Sequence, residues 1–236
     1  HKKIAAYFGY EFIRINKNIT QNQNLLTIEL IKRYKIDLIL DVGANLGQFA
    51  SDIRSAGYQN QIISFEPVFE CYKHLTSIAD NEWQVKNFAL GNKNSKEEIN
   101  ISNKTVYSSI LDVNKFGKSN FSDSIKVTGK QDIQVKKLDD IIHKLVNKLN
   151  EKKVFLKIDT QGYDNWVIRG ALKTLEHVQM LQTEISCRGI YKNTPSVTER
   201  LDELFDIGFN IVGIFPISRD KNTMEILEFD CLLIRR

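Results

Sequence analysis

The sequence predicts an α/β fold built on a mainly parallel sheet with crossover helices, and three observations support that prediction. Short apolar runs alternate with segments of helical periodicity from Ile36 onward. One run, 154–159, is nearly free of polar residues, as expected of a strand covered by helices on both faces. The chain has 236 residues, 42% apolar and 26% charged, which suits one large globular domain with a core able to hold such a sheet. Parallel neighbours need a crossover between them, so the alternation itself implies the layered arrangement.

The elements follow in order. Residues 1–35 read as an N-terminal helical extension: Ile4, Phe8, Phe12 and Ile15 recur at helical spacing, and Leu26, Leu30 and Tyr34 do so again after a polar stretch. These stripes predict packing on the main body. Lys2, Lys3, Arg14 and Lys17 beside them leave a weak membrane-surface contact or an oligomer contact open. Residues 36–236 read as one domain without internal repeat or Pro- or Gly-rich linker. Strand 38–42, helix 46–56, strand 61–66 and helix 68–79 come first, then strands 83–90 and 97–102. Strand 154–159 is followed by a helix through Trp166, Ile168 and Leu172, then strand 178–185 and helix 197–205. Gly208 reads as the stop of that helix, and 209–215 and 226–234 as closing strands. The lysine-punctuated stretch 103–131 has little periodicity and predicts either a surface loop or a lid over a substrate.

Composition narrows the partners. A net charge of +4, from 33 basic and 29 acidic residues spread along the chain, gives no footprint for nucleic acid. Cys71, Cys187 and Cys231 lie far apart without metal-ligand spacing, which suits reduced thiols rather than a disulfide framework. No apolar run approaches the roughly 20 residues of a membrane span, and no signal-peptide pattern opens the chain. The expectation is a cytoplasmic protein of undetermined oligomeric state.

Asp41-Val42-Gly43-Ala44-Asn45-Leu46-Gly47 joins the first body strand to its helix. Open parallel sheets bind ligands at such carboxyl ends, near the point where strand order reverses. Gly43 and Gly47 would allow close backbone approach, and the helix start offers free N–H groups. The spacing is not the Gly-x-Gly-x-x-Gly that seats a pyrophosphate. Asp41 would repel a pyrophosphate but could accept hydrogen bonds from an ammonium group, which favours a nucleoside bearing an amino acid. Glu66, ending the next strand, could receive both ribose hydroxyls. Dinucleotide sites use the same device, so Glu66 does not decide the matter.

Taken in order, Asp41-Val-Gly-Ala-Asn-Leu-Gly47, Phe65-Glu-Pro67, Asn87-Phe-Ala-Leu90, Leu138-Asp-Asp140 and Phe155-Leu-Lys-Ile-Asp-Thr-Gln-Gly-Tyr163 resemble the motifs of the FkbM-type S-adenosylmethionine-dependent methyltransferases. The resemblance runs from about Ile36 to the C-terminus. It implies a Rossmann-like class I methyltransferase sheet of seven strands with the last antiparallel, and S-adenosylmethionine as cofactor. Asp41, Gly43, Asn45 and Gly47 would then surround the methionine part, Glu66 with Pro67 beside it would hold the ribose, and Asn87 and Ala89 would flank the adenine. Members typically methylate hydroxyl groups, often on sugars or polyketides. The implied acceptor is a small molecule or glycan, most simply a sugar of a polysaccharide or glycolipid.

Methyl transfer to a hydroxyl needs alignment and a base for the departing proton. Asp159 ends its strand on the ligand-binding edge and is assigned as base or acceptor-orienting group; Glu184 nearly ends the neighbouring strand and is assigned as a second catalytic or substrate-binding carboxylate. Lys157 shares the strand parity of Asp159 and should pair with it or tune it. Asp159 could instead cap the following helix. Two carboxylates without a third ligand make no metal site, so none is assigned. Arg188 could meet an anionic group, Tyr191 could stack on a sugar face, and Ser108-Ser109 resembles a family serine motif reaching cofactor or acceptor. The connection 219–223 should also shape the acceptor pocket. A nicotinamide-dependent oxidoreductase on a similar sheet and a cofactor-binding scaffold without turnover are the alternatives.

Overall fold

The computed structural model describes residues 17–121 and 125–235. The apolar pattern at Ile4, Phe8, Phe12 and Ile15, with Lys2, Lys3 and Arg14, lies outside them. Helices α1 (Lys17–Gln21) and α2 (Gln23–Arg33) lead into β1 (Leu38–Val42), α3 (Gln48–Ser55), β2 (Gln61–Phe65), α4 (Phe69–Ile78), β3 (Trp83–Lys86), β4 (Ala89–Leu90) and β5 (Ser95–Ser102). A short 3-10 turn (Thr105–Tyr107) and α5 (Lys115–Asn120) precede β6 (Val127–Lys136), α6 (Leu138–Leu145) and β7 (Val154–Ile158). Then come α7 (Asp164–Arg169), α8 (Leu172–Leu175), β8 (Val178–Ser186), α9 (Val197–Asp206), β9 (Phe209–Arg219) and β10 (Ile226–Arg235).

Seven strands form one sheet in the order β3-β2-β1-β7-β8-β10-β9. The neighbours from β3 to β8 are parallel, whereas β10 runs antiparallel to both β8 and β9. The expected sheet, with its last strand reversed, is therefore present. Strand order turns back between β1 and β7, so their carboxyl ends form the switch point where open sheets bind ligands.

Alternating residues of the same strand feed two cores, which is why β1 and β7 are buried throughout. On one face Leu38, Leu40, Leu156, Ile158 and Leu181 pack with Leu138 and Ile142 of α6, Val167 and Ile168 of α7 and Leu204 of α9. On the other, Ile39, Phe155, Met180 and Leu232 pack with Leu26, Leu30 and Ile31 of α2, Ala50 and Ile53 of α3 and Leu75 of α4. The stripe predicted around Leu26 and Leu30 is thus an interior surface. Asn22 caps α2 through Leu25 N–H at 3.0 Å, and Ser196 and Glu199 form a capping box on α9.

Two expectations change. The run 83–90 is not one strand: β3 stays in the main sheet, whereas β4 pairs with β6 in a second sheet ordered β4-β6-β5. Within 103–131, Val127 to Gln131 already belong to β6, and the part before it is anchored. Asn114 Nδ2 donates to the carbonyls of Gly189 (2.7 Å) and Tyr191 (3.2 Å), and Val113 bridges to Tyr191. The first four residues of β6 are exposed, so that strand shows no alternation until Ile133 and Val135 reach a small core with Val68, Cys71 and Ile99.

Candidate active site

A cavity of about 320 Å³ opens at the switch point, a size suited to a cofactor or small ligand. Its position follows from the turn after β1. Gly43, at φ 76°, crosses so close to the end of β7 that a Cβ there would lie 1.9 Å from Asp159 O. Gly47, at φ 84°, faces Leu75 and Trp83 instead, where a Cβ would come within 2.7 Å of Leu75 Cδ2. Both glycines let the protein approach itself. Gly43 still lines the cavity, and Gly47 does not.

One end of the cavity is built around Glu66, which is only 4% exposed. Asn45 N–H donates to its Oε2 and Val68 N–H to its Oε1, each at 2.7 Å. Burial pushes its carboxyl up to about 7, against the lowering effect of those two N–H groups. Each oxygen keeps a lone pair for a further donor. Pro67, Ala89, Phe65, Leu90 and Ile99 line the same cavity and give flat apolar walls. Asn87 does not reach it. Its Nδ2 donates to Glu66 O (2.9 Å) and Pro67 O (3.1 Å), so it holds the turn and is corrected from an adenine neighbour to a strand-end tie.

At the other end Asp159, Lys157 and Gln182 meet Gln48, Phe49 and Asp52 of α3 and Asn24 of α2. Lys157 is buried, 3.2 Å from Asp41 Oδ1 and 3.5 Å from Asp159 Oδ2, with its Nζ also 3.4 Å from Gly43 O. Burial alone would lower the ammonium's pKa, but Asp41 and Asp159 outweigh it and raise it. Asp41 is fully buried, takes Ser64 Oγ–H at 3.1 Å and does not line the cavity. It faces Lys157 rather than a ligand ammonium, a second correction. Asp159 has 43% of its side chain exposed and accepts from Gln161 Nε2 at 3.1 Å. The N-cap position of α7 is Tyr163, with no side-chain cap bond, and Asp164 Oδ2 takes Thr160 N–H and Thr160 Oγ–H within the turn before it, so Asp159 is not the cap.

The remaining assignments divide. Ser108 and Ser109 line the cavity; Ser108 Oγ accepts from Ser102 N–H, and Ser109 Oγ–H donates to Gln161 O at 2.8 Å. Glu184 does not line it. It borders a space of about 30 Å³ beside Thr194 and Arg200 and pairs with Glu228; burial and then Glu228 push its carboxyl well above the ordinary range. The structure does not bring Glu184 to face the cavity with Asp159. Tyr191 is buried, its hydroxyl on Tyr107 O and Gln161 Oε1 at 3.2 Å each, and its ring offers no open stacking face. Arg188 lies 3.9 Å over the Phe116 ring, outside the cavity, and 219–223 is not part of its wall. Gln48, Phe49 and Asp52 were not singled out from sequence, although Gln48 and Asp52 share one helical stripe immediately after the turn.

The FkbM methyltransferase domain matches residues 41–211, most of the chain. The protein belongs to this family. It is a methyltransferase with S-adenosylmethionine as its cofactor, and the cavity suits that group: a buried carboxylate at one end, apolar walls, and polar side chains at the other. Solved structures of similar fold include Aeropyrum pernix fibrillarin with bound S-adenosyl-L-methionine, at 12% identity and TM-score 0.46, covering 89% of this chain and 74% of that one. A SAM-dependent methyltransferase from Aquifex aeolicus is 11% identical, with TM-score 0.40 and coverage of 92% and 95%. The METTL16 methyltransferase domain is 9% identical, with TM-score 0.46 and coverage of 98% and 75%. No curated protein matches the sequence. Among the described residues of this FkbM methyltransferase, no helix is long and apolar enough to cross a membrane.

Proposed function

We propose that the protein is an O-methyltransferase acting on a hydroxyl group, namely that of a sugar in a polysaccharide or glycolipid. The observation that supports this reading is Asp159: a half-exposed carboxylate at the switch point, fixed by Lys157 and Gln161, on the wall of the cofactor cavity. When bound, S-adenosylmethionine supplies an electrophilic methyl group on a sulfonium sulfur. A hydroxyl is a weak nucleophile, so the residue beside it must receive its proton as the new O–C bond forms. Asp159 takes that proton, and Lys157 holds the carboxylate in place.

In this reading Glu66 accepts the ribose hydroxyls, with Pro67, Ala89 and Leu90 against the base. Asp41 is committed to Lys157 and Ser64, so exposed Asp52 takes the place expected for Asp41 at the donor's ammonium group. Ser108 and Ser109 act as a wall whose hydroxyls are tied to Ser102 at the end of β5 and to Gln161 after β7. The test is transfer of a radiolabelled methyl group to a panel of glycans and lipid-linked sugars, followed by treatment with alkali. A methyl ether keeps its label, a methyl ester releases it as methanol. Alkali-stable label on a neutral sugar is the expected result; label only on carboxylates, amines or RNA would refute the reading.

A further inference from the structure

Helices α2 and α3 cover the same face of the sheet, yet they do not close upon each other. Between them lies a space of about 240 Å³, floored by Gln182 of β8. Its apolar surface comes from Ile28, Phe49 and Ile53, and its polar surface from Asn24, Thr27 and Gln182. The space adjoins the cofactor cavity, since Asn24, Phe49, Asp52 and Gln182 belong to the walls of both.

Thr27 is the unusual member. A helical threonine ordinarily turns its hydroxyl back onto a carbonyl of the preceding turn. Here Oγ1 is buried on the wall of this space and has no hydrogen-bond partner. Buried polar groups are nearly always paired, so an orphan hydroxyl on a cavity wall is a donor and acceptor awaiting a partner. Gln182 is likewise buried, and its amide makes no side-chain bond among the described residues. Among the described residues Asp52 is the one charged residue lining the space, and it stands at the boundary with the cofactor cavity.

We propose that this compartment is the acceptor subsite and that it takes an uncharged, polyhydroxylated ring. Hydroxyl and amide groups from Thr27, Asn24 and Gln182 match ring hydroxyls, while Phe49, Ile28 and Ile53 meet the C–H faces of the ring. Among the described residues no Lys or Arg lines the space, so an anionic ring would find no side-chain cation there. Gln182 is the register partner of Lys157, two residues before Asp159, so a ring seated over Gln182 extends a hydroxyl toward the Asp159 end of the cofactor cavity. This inference rests on the acceptor being a sugar hydroxyl.

The test uses the full chain labelled at isoleucine methyls, with and without S-adenosylhomocysteine, titrated with neutral methyl glycosides of glucose, galactose, mannose and rhamnose and with methyl glucuronide. At least one neutral glycoside should shift the Ile28 and Ile53 methyl signals, and the glucuronide should not. Thr27→Val should weaken that binding about fivefold, the loss of one hydrogen bond, while S-adenosylhomocysteine affinity stays within about twofold. Ile28→Trp, which fills the space, should abolish the shift of the remaining Ile53 reporter and provides a second check if Thr27→Val folds poorly. Neutral glycosides that leave Ile28 and Ile53 unmoved, or that titrate equally in wild type and both variants, would overturn the proposal. Failure of S-adenosylhomocysteine to bind would instead refute the cofactor cavity, and the glycoside titration of the free protein would still decide the acceptor subsite.

Discussion

At the residue scale, Glu66 connects burial to function. Its carboxyl is raised to about 7 in the fold from an ordinary 4.5, with burial as the largest cause. Between those values the folded protein binds more protons than the unfolded chain, so this group's contribution to stability falls as pH rises through the window. Ribose hydroxyls need the ionised acceptor, so cofactor affinity should rise from pH 6 to 8 by up to about tenfold, about fivefold of it below pH 7, and level off above pH 8. Calorimetry with S-adenosylhomocysteine across pH 6 to 8 checks this. Glu66→Gln should bind at least about tenfold more weakly and lose the pH dependence; an unchanged slope would exonerate Glu66. Gly43 is the other decisive residue. Gly43→Ala would drive a methyl group into Asp159 O and should abolish cofactor binding with a large drop in melting temperature; a variant that melts and binds like wild type would contradict the close approach.

At the element scale, β1 and β7 are joined at their carboxyl ends by a buried ion pair. Asp41 Oδ1 makes no hydrogen bond and depends on Lys157 Nζ for compensation. Removing one partner of such a pair leaves an uncompensated buried charge, so Lys157→Met should cost about 3–5 kcal/mol in denaturant unfolding. Adding Asp41→Asn should recover part of that loss. A single-variant loss below about 1 kcal/mol would show that the pair does not hold the strand ends. The same arrangement explains why Lys157 was legible as a partner of Asp159 but not of Asp41: strand parity is local, whereas the register of β1 on β7 joins residues 116 positions apart in the chain, Asp41 with Lys157.

At the scale of the whole molecule, α2 is a structural wall as well as a border of the proposed acceptor site. Leu30 is buried against the sheet, and Leu30→Ala should cost about 2–5 kcal/mol of stability. Thermal unfolding that is unchanged by this substitution would detach α2 from the core. Most of the main sheet was legible because its strands are continuous apolar runs between helical stripes. The small sheet was not, because β6 starts with four exposed residues and pairs with β5 and β4 across long separations. Asp159, Lys157 and Glu66 could be read from strand ends. Tyr191 and Glu184 could not, since their surroundings depend on a loop and on β10, which reach them only in the folded chain. Asp52 hid in an ordinary helical pattern, and only the packing of α3 beside β7 turns it toward the cavity.

The central claim is that methyl transfer occurs at the Asp159 end of a cavity that Glu66 anchors. Its most direct test is Asp159→Asn, with S-adenosylhomocysteine affinity and methyl transfer measured side by side on one preparation. Affinity within about threefold of wild type, with turnover lowered by about 10² or more, is the predicted result. Turnover equal to that of wild type would contradict it.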